Sequence, residues 1–208
     1  MRITVATAFL ALAISALPGA TNELSHTETE QLSRQFTEAQ RTLRTFRANF
    51  EQTVSLLGLR NPTVSKGTFF YRAPDDVRID YSQPDGDFLL LRGENFDVAK
   101  GGDAPRRYPE SDRSARVLVA LRKVMGGRPD AGARMVRRIC REGDEYVVSL
   151  TPQTPSRDLP EKIENRIDAG SLLLKKMTVT LPRGTSIEFS FSDPERNAKL
   201  DEALFQEP

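Results

Sequence analysis

The chain has 208 residues, with 30 Lys and Arg against 29 Asp and Glu, one His, one Cys and no Trp. A net charge of +1 excludes the strong basic excess of a dedicated nucleic-acid binder. One Cys excludes an internal disulfide and a Cys-rich zinc site, and there is no Gly-rich phosphate loop, so most enzyme classes are poorly served.

At the N-terminus, Arg2 precedes an apolar run from Ile3 to Ile14, and small residues with a Pro follow over Ser15–Ala20. This charged, apolar, small-residue order is that of a secretory signal. The run falls short of the roughly 20 apolar residues that cross a bilayer. Residues 1–20 are read as the signal peptide, cut after Ala20 or near Ser15, and residues 21–208 as one exported, soluble domain. Poverty in Cys suits an oxidising compartment.

In the mature chain, Thr27 and Glu30 form a capping box ahead of Leu32, Phe36, Leu43, Phe46, Phe50 and Val54, which recur at helical spacing. The pattern predicts one amphipathic helix over Glu28–Thr53. The period then changes. Thr68–Arg72 is β-rich, and Ala73–Asp76 is a turn. Val77, Ile79 and Tyr81 alternate with Arg78, Asp80 and Ser82 as a half-buried strand. Gln83–Gly86 reads as a turn, Phe88–Leu91 as a strand and Asn95–Lys100 as the next. Ser114–Met125 reads as a helix with Val117, Leu118, Leu121, Val124 and Met125 on one stripe. Strands resume at Met135–Arg141, Tyr146–Thr151, Lys162–Asp168, Leu172–Leu181 and Ser186–Ser192. Short turns between them predict an antiparallel sheet.

The late strands share one apolar face: Tyr146, Val148 and Leu150; Ile163 and Ile167; Met177, Val179 and Leu181; Ile187, Phe189 and Phe191. Such a face has to be covered. A curved sheet lidded by the two helices is the economical solution. Any part that the lid leaves unfilled becomes an apolar pocket. Its expected wall is Val77, Ile79, Tyr81, Leu89 and Leu91 from the early strands and Met177, Val179, Ile187, Phe189 and Phe191 from the late ones. Phe46 and Phe50 are expected to close it from the helix.

Several short stretches resemble the LolA family of periplasmic outer-membrane lipoprotein carriers. They are Phe46-Arg47-Ala48-Asn49-Phe50-Glu51-Gln52, Gly67-Thr68-Phe69, Arg72-Ala73-Pro74 and Arg78-Ile79-Asp80-Tyr81-Ser82-Gln83-Pro84. Leu91-Arg92-Gly93, Leu150-Thr151-Pro152 and Ile187-Glu188-Phe189 through Asn197 to Phe205 complete the series. The resemblance implies an α+β fold, mainly antiparallel β, built as an incomplete, unclosed and curved β-barrel with a helical lid. It implies a monomer in the periplasm that shields the acyl chains of lipoproteins, without catalysis, metal or cofactor. Its implied partners are acylated lipoproteins, an inner-membrane lipoprotein-releasing ABC transporter and an outer-membrane acceptor of the LolB type. In the family a gating Arg directly precedes the Pro of the basic-Pro turn. Here Ala73 holds that place. Arg72 and Arg78 are the gating candidates, and Val117 and Leu121 are the lid candidates. The alternative is a divergent LolA-like or RseB-like protein that carries or senses another lipid.

Other chemistry is set aside. His26 is alone, and Cys140 is expected to be a buried, inert thiol. Asp75, Asp76, Asp80, Asp85 and Asp87 lack the ligand order of an EF-hand and read as turn residues. Arg134, Arg137, Arg138 and Arg141 read as a solvated sheet face. A secreted hydrolase would need a nucleophile and base pair, which the sequence does not offer.

Overall fold

Apolar and polar residues alternate along strand after strand, and the strands join side by side into one long antiparallel sheet. The computed structural model describes residues 22–58, 60–127, 135–157 and 159–206, so the expected signal peptide lies outside the described residues. In chain order the elements are β1 (Asn22–Glu23), α1 (His26–Arg41), β2 (Thr45–Ser55), β3 (Thr63–Arg72), β4 (Asp76–Gln83), β5 (Asp85–Arg92), β6 (Asn95–Ala99) and β7 (Arg106–Pro109). A 3-10 turn (Arg113–Ala115) leads into α2 (Arg116–Met125). There follow β8 (Met135–Glu142), β9 (Glu145–Pro152), β10 (Lys162–Asp168), β11 (Leu174–Leu181), β12 (Thr185–Arg196) and a closing 3-10 turn (Glu202–Phe205).

The sheet order is β1-β8-β9-β10-β11-β12-β2-β3-β4-β5-β6-β7. Consecutive strands are neighbours except at two seams: β1 pairs with β8, and β12 pairs with β2, which brings strands from near the two ends of the chain together in the middle of the sheet. The outermost strands β1 and β7 do not pair with each other, so the curved sheet stays an unclosed barrel.

The expected helix over Glu28–Thr53 is corrected in two respects. It starts with a capping box on Ser25, not Thr27: the Glu28 amide donates to Ser25 Oγ (3.4 Å) and the Ser25 amide to Glu28 Oε2 (2.9 Å). It also ends at Arg41, and the chain continues as β2. The reason is a degenerate spacing. Phe46, Phe50 and Val54 are four residues apart, which is about one helical turn but also two strand periods. Ala48 and Gln52 fill the intervening places and Arg47, Asn49 and Glu51 face away, so the strand period holds throughout. Phe46 and Phe50 therefore reach the interior from the sheet and not from the lid. Other boundaries shift less. β3 begins at Thr63, Asp85 and Gly86 belong to β5, and β1 and β7 are additions. The expected late strands and second helix hold within a few residues.

Both helices lie on the sheet's apolar face. Leu32 and Leu43 from the α1 region and Val117, Leu118, Leu121, Val124 and Met125 from α2 merge with Phe46, Phe69, Ile79, Leu150, Met177 and Phe189 into one buried cluster. Removing such apolar area from water is the main source of stability here. The opposite face carries ion pairs in rows. Arg166 reaches Glu142 (2.9 Å) and Glu145 (3.2 Å), Lys175 reaches Glu145 (2.8 Å), and Lys176 reaches Glu188 (2.9 Å).

The register of β3 on β4 slips between Lys66 and Gly67. A Cβ placed on Gly67 would lie 1.9 Å from the Asp80 carbonyl oxygen and 2.9 Å from Phe50 Cε1. Backbone cannot yield as a side chain tip can. We expect Gly67→Ala to destabilise the protein by about 3 kcal/mol, read as a lowered denaturant midpoint at unchanged slope.

Four carboxylates are held below the ordinary range. A hydrogen bond from Lys175, aided by Arg166, does this for Glu145, and the Ser171 amide and hydroxyl do it for Asp168. Ser25 acts likewise on Glu28 and Ser114 on Asp112. In each case the unfolded chain binds the proton more tightly, so the stabilisation is complete at neutral pH and is lost as the pH falls through about 4 and below. The melting temperature should fall on acidification below about pH 5, and Glu145→Gln should make that fall shallower.

Candidate functional site

The helices do not fill the inner face. A cavity of about 650 Å³ remains over β3 to β7 and opens at the end of the sheet formed by the β4–β5 and β6–β7 connections. Tyr81, Leu89, Phe96, Val98 and Tyr108 wall it, and Gln52 and Ser65 extend it toward β2. Strand register explains the set: Leu89 pairs with Val98 and Phe96 with Tyr108, so alternate residues of neighbouring strands point the same way. The Tyr81 hydroxyl donates to Gln52 Oε1 at 2.8 Å, and the Phe50 ring meets Tyr81 edge-on at 5.5 Å. Burial, with Asp87 adding to it, pushes the Tyr81 phenol up to about 12, so it stays neutral. Lys100, Asp103 and Arg106 stand at the open end.

A second cavity of about 170 Å³ lies under α1, between Leu32 and Phe36 of the helix, Val124 of α2 and Ile139, Val148 and Ile167 of the sheet. Ser33, Thr37 and Arg137 are among its polar lining, and so is Asn165. The residue is 1% exposed and its Oδ1 has no hydrogen-bond partner among the described residues. Gln40, on the α1 turn that meets α2, has a buried Oε1 in the same condition.

The family model for outer membrane lipoprotein carrier protein LolA matches residues 41–207. The chain belongs to the LolA family. A search of curated protein sequences finds no match. Among solved structures, a DUF1329 family protein from Desulfovibrio piger aligns with a TM-score of 0.53 at 13% identity, over 86% of this chain and 96% of that one. An uncharacterised conserved protein from Thermus thermophilus gives 0.53 at 8% identity, over 86% and 94%. A LolA superfamily protein from Nitrosomonas europaea gives 0.46 at 13% identity, over 84% and 97%. At these identities the likeness is one of fold.

In this LolA-family chain the twelve expected wall residues all join one apolar cluster. Only Tyr81 and Leu89 of them border the larger cavity. Phe46, Val77, Ile79, Leu91, Met177, Val179 and Phe189 are packed to 1% exposure or less, Phe50 is nearly as buried, and Ile187 and Phe191 sit partly buried at its margin. Val117 and Leu121 are buried where α2 meets the sheet.

Arg72 and Arg78 lie on the opposite face from Val77 and Ile79, where they hold the C-terminal 3-10 turn. Arg72 pairs with Asp76 (2.6 Å) and stacks on Phe205 (4.4 Å). Arg78 pairs with Asp80 (2.6 Å), donates to the Leu204 carbonyl (2.9 Å) and stacks on Phe88 (4.4 Å). Asp76 and Asp80 are thus arginine partners, while Asp87 accepts from the Gly101 amide. Among the described residues no cluster of three or more His, Cys, Asp or Glu is placed to hold a metal. His26 is exposed at the start of α1, 3.8 Å from Glu30, and Cys140 is partly exposed on β8.

Sequence reasoning missed Gln52, Phe96, Val98, Arg106 and Tyr108. The alternation of Phe96 and Val98 within the expected Asn95–Lys100 strand was a usable signal. β7 was hidden because it is four residues long, carries two Arg and ends in Pro.

Cavity wall and packed core respond differently to added volume. Leu89→Trp has space to enter and should leave the melting temperature nearly unchanged. Ile79→Trp has none and should cost about 1–3 kcal/mol. Parallel thermal and denaturant melts of the two variants check the contrast.

Proposed function

We propose that the protein is a periplasmic carrier that shields acyl chains inside its unclosed barrel. The observation that carries this reading is the cavity of about 650 Å³ left on the apolar face of a LolA-family sheet. Acyl chains need apolar walls and no catalytic group. Each methylene taken from water is worth about 0.8 kcal/mol, so a chain lodged there leaves only for another apolar site. The cargo that suits the family is an acylated lipoprotein, received from an inner-membrane ABC transporter and passed to an outer-membrane acceptor of the LolB type. Among the described residues no helix is long and apolar enough to cross a membrane, which accords with a carrier between membranes.

One observation favours a second reading, a divergent member that carries or senses another lipid. The larger cavity has polar residues among its apolar ones, with Gln52, Ser65, Tyr81 and Arg106 in its wall, and these can hydrogen-bond an ester, amide or headgroup.

Mass spectrometry of material that co-purifies with the exported protein should show an acylated ligand and identify its class. A fluorescent fatty-acyl probe should bind the delipidated protein. Leu89→Trp, which fills the cavity, should weaken that binding about tenfold or more, the loss of some two methylene contacts. Lys176→Ala on the outer face should bind as the parent does. A clean protein that ignores the probe would end the carrier reading.

A further inference from the structure

We infer that the β2–β3 hairpin tip is a docking point for an anionic phospholipid surface. Leu57 is 79% exposed and Leu56 is 44% exposed at this tip, and Val64 beside them on β3 is 49% exposed. Three large apolar side chains grouped on one hairpin are costly in water unless something covers them. Leu57 rests on the β11–β12 turn, where a Cβ on Gly184 would lie 3.4 Å from Leu57 Cβ, and Gly184 has φ +74°.

Charge selects the kind of surface. From Gln52 to Ser65, and again from Leu181 to Ile187, the sequence contains no Asp or Glu; the charges are Arg60 and Arg183, with Lys66 one step beyond, already paired to Glu51. Arg60 and Arg183 are exposed, and neither is paired with a carboxylate among the described residues. Apolar side chains flanked by unpaired arginines fit the boundary between acyl chains and anionic headgroups, which attracts each basic group. Asp85, Asp103 and Glu161 also lie at this end, but at the start of β5 and on the β6–β7 and β9–β10 connections, not on the two touching turns. At the other end, the β5–β6 and β8–β9 turns expose Glu94 and Asp144, which an anionic surface repels.

Strand direction puts the tip at the same end of the barrel as the mouth of the larger cavity, whose wall includes Pro84, Lys100 and Asp103. Docking by the tip therefore turns that mouth toward the bilayer. This last consequence rests on the carrier reading. The docking does not.

The test is co-sedimentation of the mature protein with vesicles of phosphatidylcholine alone or with added phosphatidylglycerol. The parent should bind the anionic vesicles, bind neutral ones weakly, and be released by salt. Leu57→Asp should lower the bound fraction about tenfold or more, since it removes the main buried side chain and adds a repelled charge. Arg60→Glu with Arg183→Glu should abolish the preference for anionic vesicles. Both variants change exposed positions, so their melting temperatures and acyl-probe affinities should match the parent. Leu89→Trp should lose the probe and keep the vesicles, which separates failure of docking from failure of the carrier reading. Equal binding to both vesicle types, or Leu57→Asp binding like the parent, would overturn the proposal. So would a dimer on size exclusion that Leu57→Asp dissolves, because the tip would then be covered by a second copy.

Discussion

A twelve-stranded sheet with one apolar face needs more cover than α1 and α2 supply, and much of the structure follows from that shortfall. The helices seat their stripes on the middle of the face, where Leu118 and Leu121 meet Phe46, Phe69 and Ile79 in one cluster. Full closure would remove the need for cover by wrapping the face inside, but β1 is only two residues and β7 four, and the edges stay apart. Space remains toward β3–β7, and a smaller gap remains beneath α1. Open cavities of about 650 Å³ and 170 Å³ on one face are thus a property of this architecture.

The outer face solves a different problem. Leu90 is fully buried although it alternates with Leu89 and Leu91 and so points away from the lid. The closing 3-10 turn (Glu202–Phe205) lies on that same face, beside Arg78. Phe205 is 1% exposed there, gripped by Arg72, while Arg78 and Arg92 take the Leu204 and Phe205 carbonyls. Guanidinium groups suit this task because one planar group can stack on a ring and still donate several hydrogen bonds. Arg72 and Arg78 thereby join two sequence-distant segments.

The polar interior has a separate logic. Buried carboxamide oxygens without partners are expensive, and among the described residues those of Asn165 and Gln40 border the contact of α1 with the rest of the molecule. α1 also lies mostly before the stretch that the LolA family model matches, which begins at residue 41. The β2–β12 seam, by contrast, pairs seven residues in one register from Ser186–Ser55 to Ser192–Asn49, and two more beyond a register shift.

The sequence by itself determined what local periodicity can specify. Alternation placed Lys162–Asp168 without error and the other late strands closely. It put Val77 and Ile79 on one face with Arg78 on the other, and the α2 stripe was legible because its five apolar residues admit only a helical period. Local signals could not decide Phe46, Phe50 and Val54, since a spacing of four serves helix and strand alike. Pairing with β12 on one side and β3 on the other settled it, and those partners lie up to 150 residues away in the chain. The same holds for the cavity. Residue types named an apolar face, but which of its members pack and which border open space depends on where two helices come to rest. That is decided by shape and volume in three dimensions, which no pattern along the chain records.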